Sequence, residues 1–208
     1  MKIGYAGLIA GILFIASCGN KTKEVIVDGP IKSFYLEQKG TGLTEGMEME
    51  ISSKIWYNAK TKNIATEMEY KTQNEGSTQI HKSLHISNEE GLFMIDLTKN
   101  TLYKLPKEAD KDEFAGLDDY KEQEFITELE TRGKILDREQ YLGKTCIVFE
   151  TEEPNDINQP EKTRYWFYKG MPLKLDSPSR KIETVRFDEN ARIPADRYVI
   201  PEGLTSLN

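Results

Sequence analysis

The most constraining feature of the sequence is its alternation. Segment after segment places apolar residues at every second position and ends at a turn signal. Met47, Met49 and Ile51 alternate with Glu48, Glu50 and Ser52, and Ile55-Trp56-Tyr57 continues to the turn at residues 58–63. Ile64, Thr66, Met68 and Tyr70 alternate with Ala65, Glu67, Glu69 and Lys71, and Ile80, Lys82, Leu84 and Ile86 form the next run. Period-two patterning bounded by Asn, Gly and Lys turns specifies antiparallel strands, not helices. Further runs cover residues 31–38, 92–97, 102–105, 134–141, 144–150, 163–168, 173–176 and 182–187.

The period changes once. Between Asp112 and Arg132, Phe114, Leu117, Tyr120, Phe125 and Leu129 are spaced as on a helix, proline is absent and Gly133 stands at the stop. The expected architecture is α+β, a strongly curved antiparallel sheet of about ten or eleven strands wrapped as an incomplete barrel over one main helix. So long a sheet does not stay flat, and its concave side must be filled or left as a binding cavity.

The first twenty residues, MKIGYAGLIAGILFIASCGN, carry one early Lys and an uncharged apolar run from Ile3 to Ile15. That run is too short to span a bilayer, which takes roughly 20 apolar residues, and it reads as an export signal. Ile15-Ala16-Ser17-Cys18 resembles the bacterial lipobox, in which the cysteine thiol receives a diacylglyceryl group and cleavage precedes it. The resemblance implies a signal peptide over 1–17, a lipidated Cys18 carrying diacylglycerol and palmitate-type chains, a tether over 18–30 and a mature domain over 31–208. By the Gram-negative sorting rule, Gly19 in place of Asp favours the outer membrane, on its periplasmic side.

Composition narrows the function classes. The net charge is −7, and loss of Lys2 with the signal makes the mature chain one unit more acidic. An acidic surface without a basic stripe disfavours nucleic acid. With Cys18 lipidated, Cys146 has no intramolecular partner, and its place in an alternating strand makes it a buried, inert thiol. His81 and His85 are the only histidines; on a strand their rings lie about 13 Å apart, too far to share a metal. No nucleophile elbow, phosphate loop or dinucleotide fingerprint is present. Paired carboxylates such as Glu89-Glu90, Asp118-Asp119 and Glu152-Glu153 read as solvated turn and helix residues. The expectation is a protein that is not an enzyme and uses neither cofactor nor metal.

The C-terminal half carries a second resemblance. Gly143-Lys144-Thr145-Cys146-Ile147-Val148-Phe149, Arg164-Tyr165-Trp166-Phe167-Tyr168, Gly170-Met171-Pro172-Leu173 and Tyr198-Val199-Ile200-Pro201-Glu202-Gly203 follow one another. This succession resembles the last strands of the bacterial lipoprotein-localisation superfamily, the periplasmic carrier and outer-membrane receptor half-barrels. Leu92-Phe93-Met94-Ile95-Asp96 is similar to that family's central hairpin. The resemblance implies a half-barrel that shelters a lipid or lipoprotein acyl chain, although no residue matches the carrier's gating arginine or the receptor's exposed leucine loop.

The candidate binding residues follow from that hollow. Trp56, Met68, Met94, Tyr165, Trp166, Phe167 and Tyr168 would line it, with Phe114 and Phe125 on the helix as lid. Either Trp166 and Tyr168 or Tyr165 and Phe167 face inward; alternation does not say which. Thioethers suit a cavity for variable acyl chains. The first expectation is therefore a membrane-anchored binder of acyl chains. Its rival is an interaction lipoprotein of an envelope complex, or a stress-sensing regulator, with a self-packed core and an unidentified protein partner.

Overall fold

The computed structural model describes residues 29–44, 47–74, 76–106, 114, 116–155 and 159–207, so the signal segment and Cys18 lie outside the described residues. The alternating runs become β1 (Ser33–Thr44), β2 (Met47–Asn58), β3 (Asn63–Asn74), β4 (Ser77–Asn88), β5 (Gly91–Asp96) and β6 (Thr101–Leu105). Helix α1 (Glu122–Arg132) follows. The chain then returns to β7 (Lys134–Tyr141), β8 (Lys144–Pro154), β9 (Pro160–Tyr168), β10 (Met171–Asp176), β11 (Arg180–Glu189) and β12 (Thr205–Leu207).

All twelve strands belong to one open sheet in the order β12-β6-β5-β4-β3-β2-β1-β11-β10-β9-β8-β7. Every pairing is antiparallel except β12 with β6. With twelve strands and a single α-helix of 11 residues among the described residues, the fold is mostly β, which corrects the α+β expectation and the strand number. Short hairpins set the register: Leu142-Gly143 and Lys169-Gly170 both take positive φ at two successive positions, the geometry a tight two-residue turn needs.

The helix is also shorter than its spacing suggested. Gly116 adopts φ 88°, and Tyr120 is extended at ψ 123°. Residues 117–119 make one 3-10 turn between them, and α1 starts only at Glu122. At its other end Gly133 is required for close approach: a Cβ there would sit 2.4 Å from the Glu150 carbonyl oxygen and 2.7 Å from the Phe149 ring. No helix among the described residues is long and apolar enough to cross a membrane.

The sheet is curved, consistent with a half-barrel. In a flat sheet β3 and β8 would be separated by six strand spacings, about 29 Å. Here residues of both line one hollow. One core cluster likewise joins Phe34 and Leu36 of β1 to Cys146 of β8 and Met171 and Leu173 of β10. Register shifts at Glu37/Gln38, Ile135/Asp137 and Pro172/Lys174 bend three strands. The halves of the chain meet at the β1–β11 seam, where Phe34 lies opposite Glu189. Backbones approach so closely there that a Cβ on Gly40 would be 2.0 Å from the Lys181 carbonyl oxygen.

Three clusters stabilise this shape. Phe34, Tyr57, Phe114 and Leu117 fill one end of the concave side, with Phe34 and Phe114 edge to face at 5.1 Å. Leu129 of α1 packs on Ile147 and Phe149 of β8, with Phe125 edge-on to Phe167 at 5.3 Å. On the opposite face, residues 193–204 lie as a strap over Trp56, Ala65, Ile86 and Ile95. Tyr198 anchors the strap, and its carbonyl accepts a hydrogen bond from the Asn88 amide at 3.1 Å.

Candidate functional site

Strand register places Gln38, Ile51, Ser53, Ile55, Met68 and Tyr70 on the same face as Ile182, Tyr165 and Phe149, which is the face α1 covers. Beside the helix this face is not filled. It encloses a hollow of about 530 Å³ lined by Met49, Ile51, Ile55, Met68, Tyr70 and Ile182 on its apolar side. None of these six is fully buried. The polar lining comes from Gln38, Ser53, Thr66, Thr163, Glu153, Glu161 and Arg180.

A second cavity of about 630 Å³ lies between residues 114–132 and strands β8 to β10. Glu153 lines both, so its carboxylate stands where the two spaces meet. Tyr165 donates to Glu153 Oε2 at 2.7 Å, and burial, with that carboxylate second, pushes the phenol pKa far up. Directly across the β8–β9 pair stands Glu161, whose Oε1 accepts from the Ser179 hydroxyl. That bond holds Glu161 below the usual carboxylate range, so it is ionised at neutral pH. Ser53 donates to Gln38 Oε1 at 3.4 Å, and the Tyr70 hydroxyl donates to the Met68 sulfur at 3.1 Å.

The residues singled out by sequence divide into three groups. Met68 lines the hollow. Phe114, Phe125, Tyr165 and Phe167 line the second cavity, which decides the open choice on β9 in favour of Tyr165 and Phe167 as the helix-facing set. The remaining four line neither space. Met94 shares the concave face but pairs with His85 and Tyr103 on the far strands. Trp56 is buried beneath the strap with the Arg197 guanidinium 4.9 Å from its ring. Trp166 donates to Glu139 Oε2 at 2.7 Å under the Lys174 ammonium, and the Tyr168 hydroxyl donates to Glu189 Oε2 at 2.9 Å.

Gln38, Ile51, Thr163, Glu153, Glu161 and Arg180 were not among the sequence candidates. They could have been found only by register, because each is an ordinary polar or aliphatic strand residue until β2 and β3 are curled to face β8 and β9. Cys146 is fully buried, and burial with nearby Glu139 pushes its pKa up to about 11. His81 is exposed beside Asp96 at 4.0 Å, while desolvation lowers the pKa of half-buried His85. Among the described residues no three His, Cys, Asp or Glu side chains gather as a metal site would need.

No family model matches the chain, and no curated protein matches it. Its likeness is to solved structures of MucB. The crystal structure of MucB superposes over 84% of this chain and 59% of that one, with 9% identity and a TM-score of 0.43. MucB in complex with MucA(peri) gives 85% and 57% coverage at 8% identity and a TM-score of 0.43. The MucA/MucB complex of Pseudomonas aeruginosa gives 82% and 56% at 9% identity and a TM-score of 0.39. The chain spans under three-fifths of the length of those proteins.

Proposed function

We propose that this chain is a binding protein of the cell envelope, tethered to a membrane through lipidated Cys18, whose hollow takes an extended segment of a protein partner. It acts by contact, without covalent chemistry. The observation that supports this reading is the mixed lining of the hollow. Met49, Ile51, Ile55, Met68, Tyr70 and Ile182 offer apolar contact, while Gln38, Ser53, Thr66, Thr163 and two glutamates offer hydrogen bonds. An acyl chain would strip water from the bonding capacity that their protein partners leave open, at roughly 1–3 kcal/mol for each bond left unmade. An extended peptide returns hydrogen bonds through its backbone and polar side chains. Its alternate side chains can reach the apolar wall. A volume near 530 Å³ is within the range of ligand sites, which run from about 300 to 1,000 Å³.

Acyl-chain sequestration is the second reading, favoured by Met49, Met68 and Ile51 clustering on one wall. One experiment separates the two. A photo-crosslinking amino acid replaces Ile51 or Met68 in cells, the membrane fraction is irradiated, and adducts are read by mass spectrometry. The expected result is a protein adduct at both positions and none at exposed Lys99. Adducts carrying only lipid would overturn the peptide reading in favour of the acyl one. In parallel, Cys18→Ser should move the protein from the membrane fraction to the soluble fraction; unchanged membrane attachment would refute the tether.

A further inference from the structure

Resting on the reading of the hollow as a peptide site, we infer that it selects a segment carrying a lysine or arginine flanked by apolar residues, with the cation seated between Glu153 and Glu161. The two glutamates are directly opposite each other across β8 and β9 and both face the hollow. Like charges in that cross-strand position repel, an arrangement a strand pair avoids unless something offsets it. The hydrogen bonds these carboxylates accept come from neutral donors, the Tyr165 hydroxyl for Glu153 and the Ser177 and Ser179 hydroxyls with the Ser179 N–H for Glu161. Those bonds orient the oxygens without cancelling their charge. Arg180 is the single cation among the residues lining this hollow; it acts on Glu161 from an exposed place at the rim, while Lys121 and Arg132 line the cavity beneath α1.

Two carboxylates against one guanidinium leave one negative charge at the mouth of a greasy space. A ligand ammonium or guanidinium would balance it with charge-assisted hydrogen bonds. The methylene stem of that ligand side chain would lie along Met49, Ile51 and Met68, as long basic side chains do on apolar surface. Glu153 also borders the cavity beneath α1, so a segment running from one space into the other must pass the carboxylate pair. A metal ion fits less well, since two carboxylates alone are a thin donor set for a hard cation.

The test uses fluorescence anisotropy with the Cys18→Ser protein and three fluorescein-labelled peptides, Gly-Leu-Ile-X-Leu-Ile-Gly with X as Lys, Gln or Glu. The Lys peptide should bind about tenfold tighter than the Gln peptide, and the Glu peptide weakest, at low salt. The double variant Glu153→Gln/Glu161→Gln should bind all three alike, at the level of the Gln peptide on the unaltered protein. Equal binding of Lys and Gln peptides by the unaltered protein would overturn the cation preference and leave the peptide site standing. Failure of all three to bind overturns the peptide site as well. Saturable heat of calcium or magnesium binding, abolished in the double variant, would instead assign the pair to a metal. Because Gln preserves shape and removes the repulsion, the double variant should fold, which circular dichroism checks.

Discussion

Single side chains in this protein are held in place by charge as much as by grease. Glu189 on β11 accepts from Lys169 at 2.5 Å, from Lys144 at 2.8 Å and from the Tyr168 hydroxyl. The Lys169 side chain is 2% exposed. Burial works to raise the Glu189 pKa, but the Lys144, Lys169 and Tyr168 donors together prevail and hold it below the ordinary carboxylate value. A carboxyl depressed in the folded state contributes stability above its unfolded pKa and loses it as pH falls through the folded one. Glu189→Gln should therefore cost about 3 kcal/mol at pH 7, because it removes the carboxylate that the Lys169 and Lys144 ammonium groups both face. The gap to the unaltered protein should close as the medium is acidified below pH 4. Urea unfolding at pH 7, 5 and 3 checks this; a gap that widens in acid contradicts the assignment.

At the scale of elements, Gly133 illustrates what a close approach demands. Its φ of −179° is ordinary extended backbone, so the constraint is space alone. A methyl group would strike the Glu150 carbonyl and the Phe149 ring, between which the end of α1 is pinned to β8. Gly133→Ala should destabilise by about 1–3 kcal/mol, the range of overpacking, with the helix-facing aromatics displaced. A urea midpoint unchanged within error would show that the helix end can shift freely. The strands of this region were legible in the sequence because alternation fixes which residues share a face. Helix length was not, since Phe114, Leu117 and Tyr120 keep helical spacing while Gly116 turns left-handed between them. The site was legible only in part. Tyr165, Phe167, Phe114 and Phe125 announce themselves as aromatics, whereas the glutamate pair depends on the pairing of Glu153 with Glu161, which no local pattern encodes. Trp56 misled for a related reason: alternation assigns it a face but gives no sign that residues 193–204 return to cover it.

For the whole molecule, the decisive feature is the β1–β11 seam. Every other antiparallel neighbour in the sheet follows its partner along the chain, as in β2 to β6 and β7 to β11, whereas β1 waits for β11. Contacts between such distant residues must await closure of a very long loop, and chains dominated by them fold in milliseconds to seconds. Until then β1 has one bare edge, an invitation to neighbouring molecules. Gly40 keeps that edge free of side-chain bulk just where Lys181 must arrive. Gly40→Val should then slow refolding and raise light scattering during it, measured by stopped-flow dilution from urea; an unaltered rate would mean closure is not limiting. The timing has a physiological side as well. On the proposed envelope route, a chain that cannot finish its sheet early would stay pliable while threaded through a translocation pore, and would set into shape only after nearly all of it had emerged.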